Sequence, residues 1–407
     1  MAWMTRWPGA FPVVVDSASG ARFTDVDGIE YVDFCLGDTG AMAGHALPQV
    51  ADALAAQARR GITTMMPNDD APWVAGELAR RFGLPFWQMA MTATDANRFV
   101  LRFARHLTGR PKVLVMDWCY HGTVDEAFAV LDPDGNVIAR PGALGPPVPP
   151  SITTKVVEFN DLAALEAALA EGDVACVLME PALTNIGIVL PEPGYLEGVR
   201  ELTRRYGTLL VIDETHTICV GPGGATRAWG LEPDFFVIGK TIGGGMPVAA
   251  YGMTAEMATR LDRPLGLESI DTSGVGGTLT GNALALAAVR ATLSSALREP
   301  DFEHMVPLAT SWTDGVRGAY EAVGLPWHVQ QLGARAEYWF CPPPRNGADA
   351  AAGADVELDR FMHLWAMNRG VLLTPFHNMA LFSPHHTIAD VARHSEVFAG
   401  AVDALTR

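Results

Sequence analysis

Basic residues, long apolar runs and paired cysteines are all scarce in this chain of 407 residues. It has 29 Lys and Arg residues against 46 Asp and Glu residues, which gives a formal net charge of −17. A charge of this sign argues against nucleic acid and anionic membrane surfaces as partners. No apolar run approaches the length of a membrane span, and residues 1–8 do not follow the pattern of a signal peptide. We therefore expect a cytoplasmic protein with neither nucleic-acid nor membrane partners.

The cysteines are few and lack any paired spacing. They stand at Cys35, Cys119, Cys176, Cys219 and Cys341. This distribution argues against a disulfide framework and against structural zinc, so we expect no metal and a reduced compartment. The apolar fraction of 49% is ordinary for a globular enzyme, and the length allows a large core in about two domains.

Two apolar runs between residues 209 and 251 lead directly to charged residues. Leu209–Ile212 is followed by Asp213, and Phe235–Ile238 is followed by Gly239 and Lys240. Each run is typical of a buried strand in a parallel sheet, and ligands of such sheets bind at the carboxyl ends of the strands. A carboxylate and an amine at neighbouring strand ends suit pyridoxal phosphate. That cofactor needs a Lys for its Schiff base and an acid at its pyridinium nitrogen.

Simpler interpretations of the two residues exist. An Asp at a strand end is usually a turn or cap residue, and a Lys beside Gly is usually solvated. A nucleotide-binding loop is a sharper rival because of the tripeptide 239–241, Gly-Lys-Thr. That motif requires Gly at position 234, where this chain has Asp. The nucleotide interpretation therefore fails on spacing.

The rest of the chain predicts a mostly parallel central sheet in an α/β fold. Strand-like and helical runs alternate, which favours right-handed crossovers and helices on both faces of the sheet. Residues 11–35 predict an antiparallel meander with a turn at Asp27-Gly28. After about residue 301 the pattern changes to a smaller α+β unit, with a flexible Gly/Ala segment at 346–354.

Several motifs in order give the chain a family resemblance. The run 238–247, Ile-Gly-Lys-Thr-Ile-Gly-Gly-Gly-Met-Pro, is highly specific, and the runs 119–122 and 277–282 support it. The chain resembles the class III aminotransferases, pyridoxal-phosphate enzymes of fold type I, and within them the glutamate-1-semialdehyde aminomutase branch. The resemblance implies a small-domain segment at 1–60, a large cofactor-binding domain at 61–300 and a C-terminal small domain at 301–407.

The resemblance implies a role for each matching residue at the cofactor ring. Lys240 would form the Schiff base and move protons between the substrate carbon and the cofactor. Asp213 would pair with the pyridinium nitrogen. Tyr120 would stack on one face of the ring, and Thr215 would lie against the other face, where most relatives have Val.

Further matches concern the phosphate group and the subunit contact. Ala93 and Thr94 stand in the family's phosphate loop, with Ala93 in place of its Gly. His121 and Asn185 complete the cofactor-binding set, with Asn185 near the phenolic oxygen. Thr278 matches a Thr that reaches the phosphate of the neighbouring subunit, which implies a homodimer with shared active sites.

The departures from the family concern the substrate. Neither 215–222 nor 375–379 contains the Arg that binds a substrate carboxylate in many relatives. Asp38 in the pocket would repel carboxylates and favour a cationic or neutral amine, although it could equally cap a turn. Candidate substrate residues are Asp38, His216, Met66 and Phe376, with Met65 and Trp87 as further lining candidates. An Arg from elsewhere within reach of the cofactor (Arg98, Arg227 or Arg335) would weaken this interpretation.

The sequence thus predicts a PLP-dependent aminotransferase that works by ping-pong half-reactions. An amine donor, without an α-carboxylate or with a distant one, would give its amino group, and a carbonyl acceptor would receive it. One alternative is a 2,1-aminomutase of the glutamate-1-semialdehyde type, which moves an amine within one substrate. Another is a PLP-binding protein without turnover, which the joint presence of Lys240, Asp213 and Tyr120 opposes.

Overall fold

A computed structural model describes residues 12–64, 66–261 and 274–407. Its first elements form the antiparallel meander that the sequence predicts, with strands β1 (Val15–Ser19), β2 (Arg22–Asp25) and β3 (Glu30–Asp33). Gly28 adopts a φ of +81° in the turn between β2 and β3, a conformation that favours glycine. The predicted Phe11 start of this unit lies outside the described residues.

The remaining helices and strands alternate along most of the chain. In chain order they are α1 (Pro48–Arg60), α2 (Asp70–Phe82), β4 (Phe86–Ala90), α3 (Ala93–Thr108), β5 (Lys112–Met116), β6 (Ala129–Leu131), β7 (Val137–Ala139), β8 (Thr154–Val157), α4 (Leu162–Ala170), β9 (Val174–Met179), α5 (Tyr195–Arg205), β10 (Leu209–Asp213), α6 (Gly224–Ala228), β11 (Phe235–Ile238), β12 (Ala249–Met253), α7 (Ala255–Leu261), α8 (Ala283–Ser295), α9 (Glu299–Glu321), β13 (His328–Leu332), β14 (Arg335–Trp339), α10 (Gly347–Ala352), α11 (Val356–Met367), β15 (Val371–Leu372), β16 (Met379–Leu381) and α12 (Ile388–Thr406). None of the described helices is long and apolar enough to cross a membrane.

A seven-stranded sheet in the order β4-β12-β11-β10-β9-β5-β8 forms the centre of the fold. Its strands run parallel except for β12, which is antiparallel to both β11 and β4. Every residue of β9, β10, β11 and β12 is buried, as expected for strands covered on both faces. The prediction of a mostly parallel α/β sheet is therefore confirmed.

The register of the sheet brings the two predicted functional residues to one edge. Strands β10 and β11 are parallel neighbours, and Asp213 at the end of β10 pairs with Val237. Lys240 follows β11 after one further residue, in a short 3₁₀ turn. Asp213 and Lys240 therefore both stand at the carboxyl edge, where ligands of such sheets bind.

The C-terminal part of the chain returns to the N-terminal meander. Strand β15 pairs in parallel with β3, with Val371 opposite Val32, while β13, β14 and β16 form a separate antiparallel sheet. Helices α9 and α12 pack on one another, and α9 also packs on β13 and β14. The domain limits at residues 60 and 300 stay a prediction.

Two features differ from the sequence prediction. The segment 346–354 is not simply flexible, because Gly347–Ala352 forms helix α10, and the Asn346 side chain caps it by accepting from Asp349 N at 2.9 Å. Alanine favours helix once a cap satisfies the first backbone N–H groups. The sequence does not predict strand β4 either, since four of its five residues are apolar and show no alternation with polar residues, although only Ala90 is buried.

Candidate functional site

Lys240 is held at the sheet edge by two polar contacts. Its Nζ donates to Asp38 Oδ2 at 2.6 Å and lies 2.9 Å from His216 Nε2. The Lys240 backbone has a φ of +51°, in the left-handed region that residues other than glycine seldom adopt. Such strain costs on the order of 1–3 kcal/mol and is concentrated at functional sites. The fold therefore stabilises one defined position for this amine.

Asp38 reaches Lys240 from a tight loop after β3. Four successive residues, Leu36 to Thr39, have φ values of +46°, +58°, +51° and +79°. Asp33 holds the loop, since its Oδ1 accepts from Cys35 N at 2.8 Å and from Leu36 N at 2.9 Å. Asp33 thus serves as the cap of this turn, and the Asp38 carboxylate points to Lys240 instead.

The electrostatics of Asp38 keep it ionised. Burial is the largest single effect and would raise the pKa of its carboxyl, but the charge and hydrogen bond of Lys240, together with smaller effects of His216 and His377, outweigh it and hold the pKa well below its usual range. Asp38 Oδ1 is buried and has no hydrogen-bond partner among the described residues. A negative charge therefore stands directly beside the Lys240 amine.

Asp213 is a buried carboxylate with three partners. Its Oδ2 accepts from Asn97 Nδ2 at 2.8 Å and lies 3.0 Å from His121 Nδ1, while Oδ1 accepts from Thr215 N at 3.1 Å. Burial raises the pKa of Asp213, but the hydrogen bond and charge of His121, with the two N–H donors, lower it to about 2. Asp213 is thus ionised and suited to hold a ring nitrogen in its protonated form.

Glu180 lies in the same buried region and behaves differently. It is 2% exposed and accepts a hydrogen bond from the Thr184 hydroxyl. Burial raises its pKa to about 7, because the opposing effects of His121 and Thr184 are too small to compensate. This site therefore contains two ionised acids, Asp38 and Asp213, and one acid, Glu180, that is half-protonated near neutral pH.

The N-terminus of α3 is a candidate anion site. Thr92 caps the helix by accepting from Asp95 N at 3.2 Å, and Thr94 Oγ1 accepts from Thr123 N at 3.0 Å. Gly122 has a φ of +77°, and a Cβ atom there would lie 2.1 Å from Thr94 Oγ1. The glycine therefore keeps open a cradle at the helix N-terminus, where backbone N–H groups favour a phosphate.

Ala93, where the family has Gly, is accommodated by a glycine on the opposite segment. A Cβ atom at Gly239 would lie 3.1 Å from Ala93 Cβ. The side chain of Ala93 thus packs on the backbone just before Lys240. This contact joins the N-terminus of α3 to the turn that contains Lys240.

The remaining cofactor candidates surround the same edge. Tyr120 is 36% exposed and packs edge-on against Phe128, with ring centroids 6.0 Å apart. Asn185 Nδ2 donates to Trp118 O at 3.2 Å, and the buried Thr215 Oγ1 has no partner among the described residues. An exposed ring, an unpaired hydroxyl, an anion cradle, an ionised acid and a lysine together fit pyridoxal phosphate.

The substrate candidates are not all brought together. His216 contacts Lys240, whereas Phe376 is 39% exposed beside His377, with ring centroids 5.1 Å apart. Met66 and Thr278 line a separate cavity of about 460 Å³ in which Lys240 takes no part. Trp87 lines the same cavity, and Met65 lies outside the described residues.

The structure brings Arg335 close to the lysine, although the sequence analysis names it only as one of three arginines that would weaken the substrate prediction. Its side chain is fully buried at the start of β14, and its Nη1 lies 3.1 Å from His216 Nδ1. A signal exists in the sequence, since Arg335 and Glu337 are two charges on one face of an otherwise apolar strand. Two charges at that spacing predict an internal ion pair.

The fold and this site define a PLP-dependent enzyme of fold type I. Residues 3–394 match the family model described as "Aminotransferase class-III", and the chain belongs to that family. The family uses pyridoxal phosphate, and the expectations of fold, cofactor and enzyme class are confirmed.

Individual relatives refine the comparison. The glutamate-1-semialdehyde 2,1-aminomutase of Desulfitobacterium hafniense (strain Y51) is 34% identical over 391 residues, covering 94% of this chain and 89% of that protein. The crystal structure of a glutamate-1-semialdehyde-aminomutase from Pseudomonas aeruginosa PAO1 is 52% identical, with a TM-score of 0.97, covering 100% of this chain and 90% of that one. A second structure of the latter is a complex with PMP. An omega-transaminase from Sphaerobacter thermophilus is 27% identical, with a TM-score of 0.88, covering 97% and 92%.

Proposed function

We propose that the protein is an aminotransferase whose amine donor has no carboxylate on the reacting carbon. The observation that carries this proposal is the contact of 2.6 Å between Asp38 Oδ2 and Lys240 Nζ. A carboxylate on the reacting carbon would lie close to the ionised Asp38, and two anions at such a distance repel. A protonated amine is attracted to the same position.

The arginines of the described chain support the same donor class. Arg227 Nη1 donates to Arg81 O at 3.1 Å, and Arg98 is an exposed residue on α3. Arg335 is linked to Lys240 only through the His216 ring, which stands between them, and Glu337 lies 3.3 Å from its guanidinium. The guanidinium is fully buried, so a substrate carboxylate has no access to its donors.

Pyridoxal phosphate, when bound, supplies the electron sink and carries the amino group from donor to acceptor. Lys240 is proposed to attach the cofactor and to move protons at the reacting carbon. Asp213 would hold the ring nitrogen protonated, with His121 and Asn97 orienting its carboxylate. Thr94 and the α3 N–H groups, including that of Ala93, would bind the phosphate.

Tyr120 and Thr215 are proposed to enclose the ring from its two faces, and Asn185 to lie near its phenolic oxygen. The exposed side of Tyr120 and the unpaired hydroxyl of Thr215 support this placement. His216 and Asp38 would face the amino nitrogen. Phe376 would border the substrate.

A homodimer is proposed, with Thr278 reaching the neighbouring cofactor. Thr278 is exposed in the chain, and its surroundings include the exposed apolar side chains of Leu279, at 52%, and Met66, at 74%. Light scattering should give the mass of two chains. Mixing T278A and K240A subunits should raise activity above that of either variant, because a mixed dimer has one site with both residues. No gain on mixing would overturn the shared site.

The second candidate function is an aminomutase. The 52% identity to a structure described as a glutamate-1-semialdehyde-aminomutase favours it. An aminomutase moves the amine within one molecule, needs no separate acceptor and releases no carbonyl product.

The visible spectrum of the purified, cofactor-loaded protein tests the proposal. Benzylamine, which lacks a carboxylate, should convert the absorbance of the pyridoxal form into that of the pyridoxamine form and release one equivalent of benzaldehyde per site. Conversion by amino acids alone would overturn the donor class. Conversion of glutamate-1-semialdehyde to its isomer, with no carbonyl product from any monoamine, would establish the aminomutase instead.

A further inference from the structure

A row of polar contacts runs from Lys240 into the C-terminal part of the chain. His216 Nε2 lies 2.9 Å from Lys240 Nζ, and His216 Nδ1 lies 3.1 Å from Arg335 Nη1. Arg335 Nη2 donates to Glu337 Oε2 at 3.3 Å, and Glu337 Oε1 lies 3.1 Å from His377 Nδ1. The row therefore joins the lysine turn after β11 to strand β14 and to the loop before β16.

Arg335 is a costly residue in this position. Its side chain is fully buried, and its Nε has no hydrogen-bond partner among the described residues. Glu337 and the carbonyl oxygen of Thr184, at 2.7 Å from Nη2, offset part of the desolvation penalty. The remaining contact of the guanidinium is a histidine ring nitrogen, which supplies no negative charge. A buried positive charge beside an imidazole disfavours the protonated form of that ring.

The surroundings of His216 oppose a second proton on its ring. An Arg side chain only donates hydrogen bonds, and so does a Lys ammonium. An imidazolium has no lone pair, so it would present N–H groups to the donors of Arg335 and Lys240. Thr39 Oγ1, 3.0 Å from Nδ1, is the hydroxyl beside the ring and accommodates either proton position of a neutral imidazole.

The charged groups around His216 act in the same direction. The elements packed against it supply Lys240, Asp38, Arg335 and His377. Burial, followed by the charge of Lys240 and then that of Arg335, holds the pKa of His216 well below its usual range, although Asp38 opposes this effect. Burial and the neighbouring positive charges therefore both favour a neutral ring.

We propose that Arg335 is a positioning residue that acts through His216, holding the ring uncharged and its Nε2 directed at the nitrogen on Lys240. A neutral His216 leaves the negative charge of Asp38 free to attract a protonated amine. An imidazolium in the same place would cancel that charge and repel the donor. Only the kinetic part of the test below rests on the proposed amine transfer.

The titration of His216 tests this directly, without turnover. The full-length protein, loaded with pyridoxamine phosphate, is labelled with ¹³C at histidine Cε1, and the H216Q variant identifies the signal of His216. In R335M, which removes the positive charge and keeps a long side chain, the pKa of His216 should rise by about one unit. In R335K, which keeps a positive charge, it should stay near the wild-type value.

A matched control is available in a distant ion pair. Arg200 pairs with Asp234, which also accepts from Leu210 N near the amino end of β10. R200M therefore removes a partly buried arginine at the opposite end of the strand and should leave the His216 titration unchanged. An unchanged His216 pKa in folded R335M would overturn the proposal.

The pH dependence of the benzylamine half-reaction gives the second readout. The acid limb of the pH–rate profile should move to higher pH in R335M by the same amount as the His216 pKa. It should not move in R335K or R200M. A purely structural Arg335 would lower the rate at every pH without moving the limb, and that result would also overturn the proposal.

If R335M does not fold because Glu337 is left unpaired, the double variant R335M/E337Q removes both charges and should show the same shift. A shifted pKa in a protein that transfers no amine would refute the proposed function and leave the positioning role intact.

Discussion

The exchange of Asp38 for Asn should reduce the preference of the protein for carboxylate-free donors. Asp38 Oδ2 lies 2.6 Å from the Lys240 nitrogen, and a carboxylate on the reacting carbon would stand about 5 Å from it. At an effective dielectric constant of about 20, two like charges at that distance repel by about 3 kcal/mol. The Asp38 side chain is 16% exposed, so water reduces the net effect, and we expect about 1.4 kcal/mol, or tenfold.

The matched donors are benzylamine and phenylglycine, which differ only by the carboxylate. The measured quantity is the ratio of kcat/KM for the two, from the rate at which the absorbance of the bound cofactor changes. The ratio should fall about tenfold in D38N. The control is D314N, which removes an exposed carboxylate paired with Arg317 and changes the net charge by the same amount. A D38N ratio equal to that of D314N, or a wild-type preference for phenylglycine, would refute the reasoning.

Three further changes follow from the site. K240A should lose covalent cofactor attachment, measured as absence of fixed cofactor after borohydride reduction, and its turnover should fall by at least about 10³-fold; turnover near wild type would contradict the role of the lysine. G122A should lower stability by about 1–3 kcal/mol and weaken cofactor binding, because the new Cβ meets Thr94 Oγ1 at 2.1 Å; G135A, with a φ of +80° and no atom within 4 Å, is the control for backbone strain alone, and equal losses would contradict the steric argument. The pKa of Glu180, raised to about 7 in the folded protein, means that its contribution to stability is complete below about pH 4.5 and is lost as the pH rises through 7. As the pH rises from 5 to 8, the free energy of unfolding of E180Q in urea should therefore increase by about 2–3 kcal/mol relative to that of the wild type. A difference between the two proteins that does not change with pH would exclude this linkage.

The parts of the fold that the sequence predicts well are those with strong local signals. The buried strands β10 and β11 are continuous apolar runs, and each leads to a charged residue at the sheet edge. The cap of α12 is equally local, because Thr387 and Asp390 stand three residues apart and form a capping box. In such places the residue types alone limit the conformation.

The parts that sequence reasoning misses depend on distant partners. Asn97 gives no sign in α3 that it donates to Asp213, and the charge pair of Arg335 and Glu337 does not show that Arg335 contacts His216. The sequence likewise does not show where the Asp38 side chain points. A loop that presents Asp38 to the pocket and a turn that Asp38 caps contain the same types of residue. These contacts join residues far apart in the chain, and no local pattern encodes them.

The parallel pairing of β3 with β15 has a consequence for the order in which the site is assembled. Phe34 N donates to Leu372 O, and Leu381 N donates to Phe34 O, so the segment before Asp38 is fixed by strands near the end of the chain. On the ribosome, Asp38 is made long before β15 and β16, the strands that hold its loop. Closing such a long loop is slow, and domains form as their chain becomes available. A nascent chain can thus complete the sheet edge with Asp213 and Lys240 before β15 and β16 fix the Asp38 carboxylate beside the lysine.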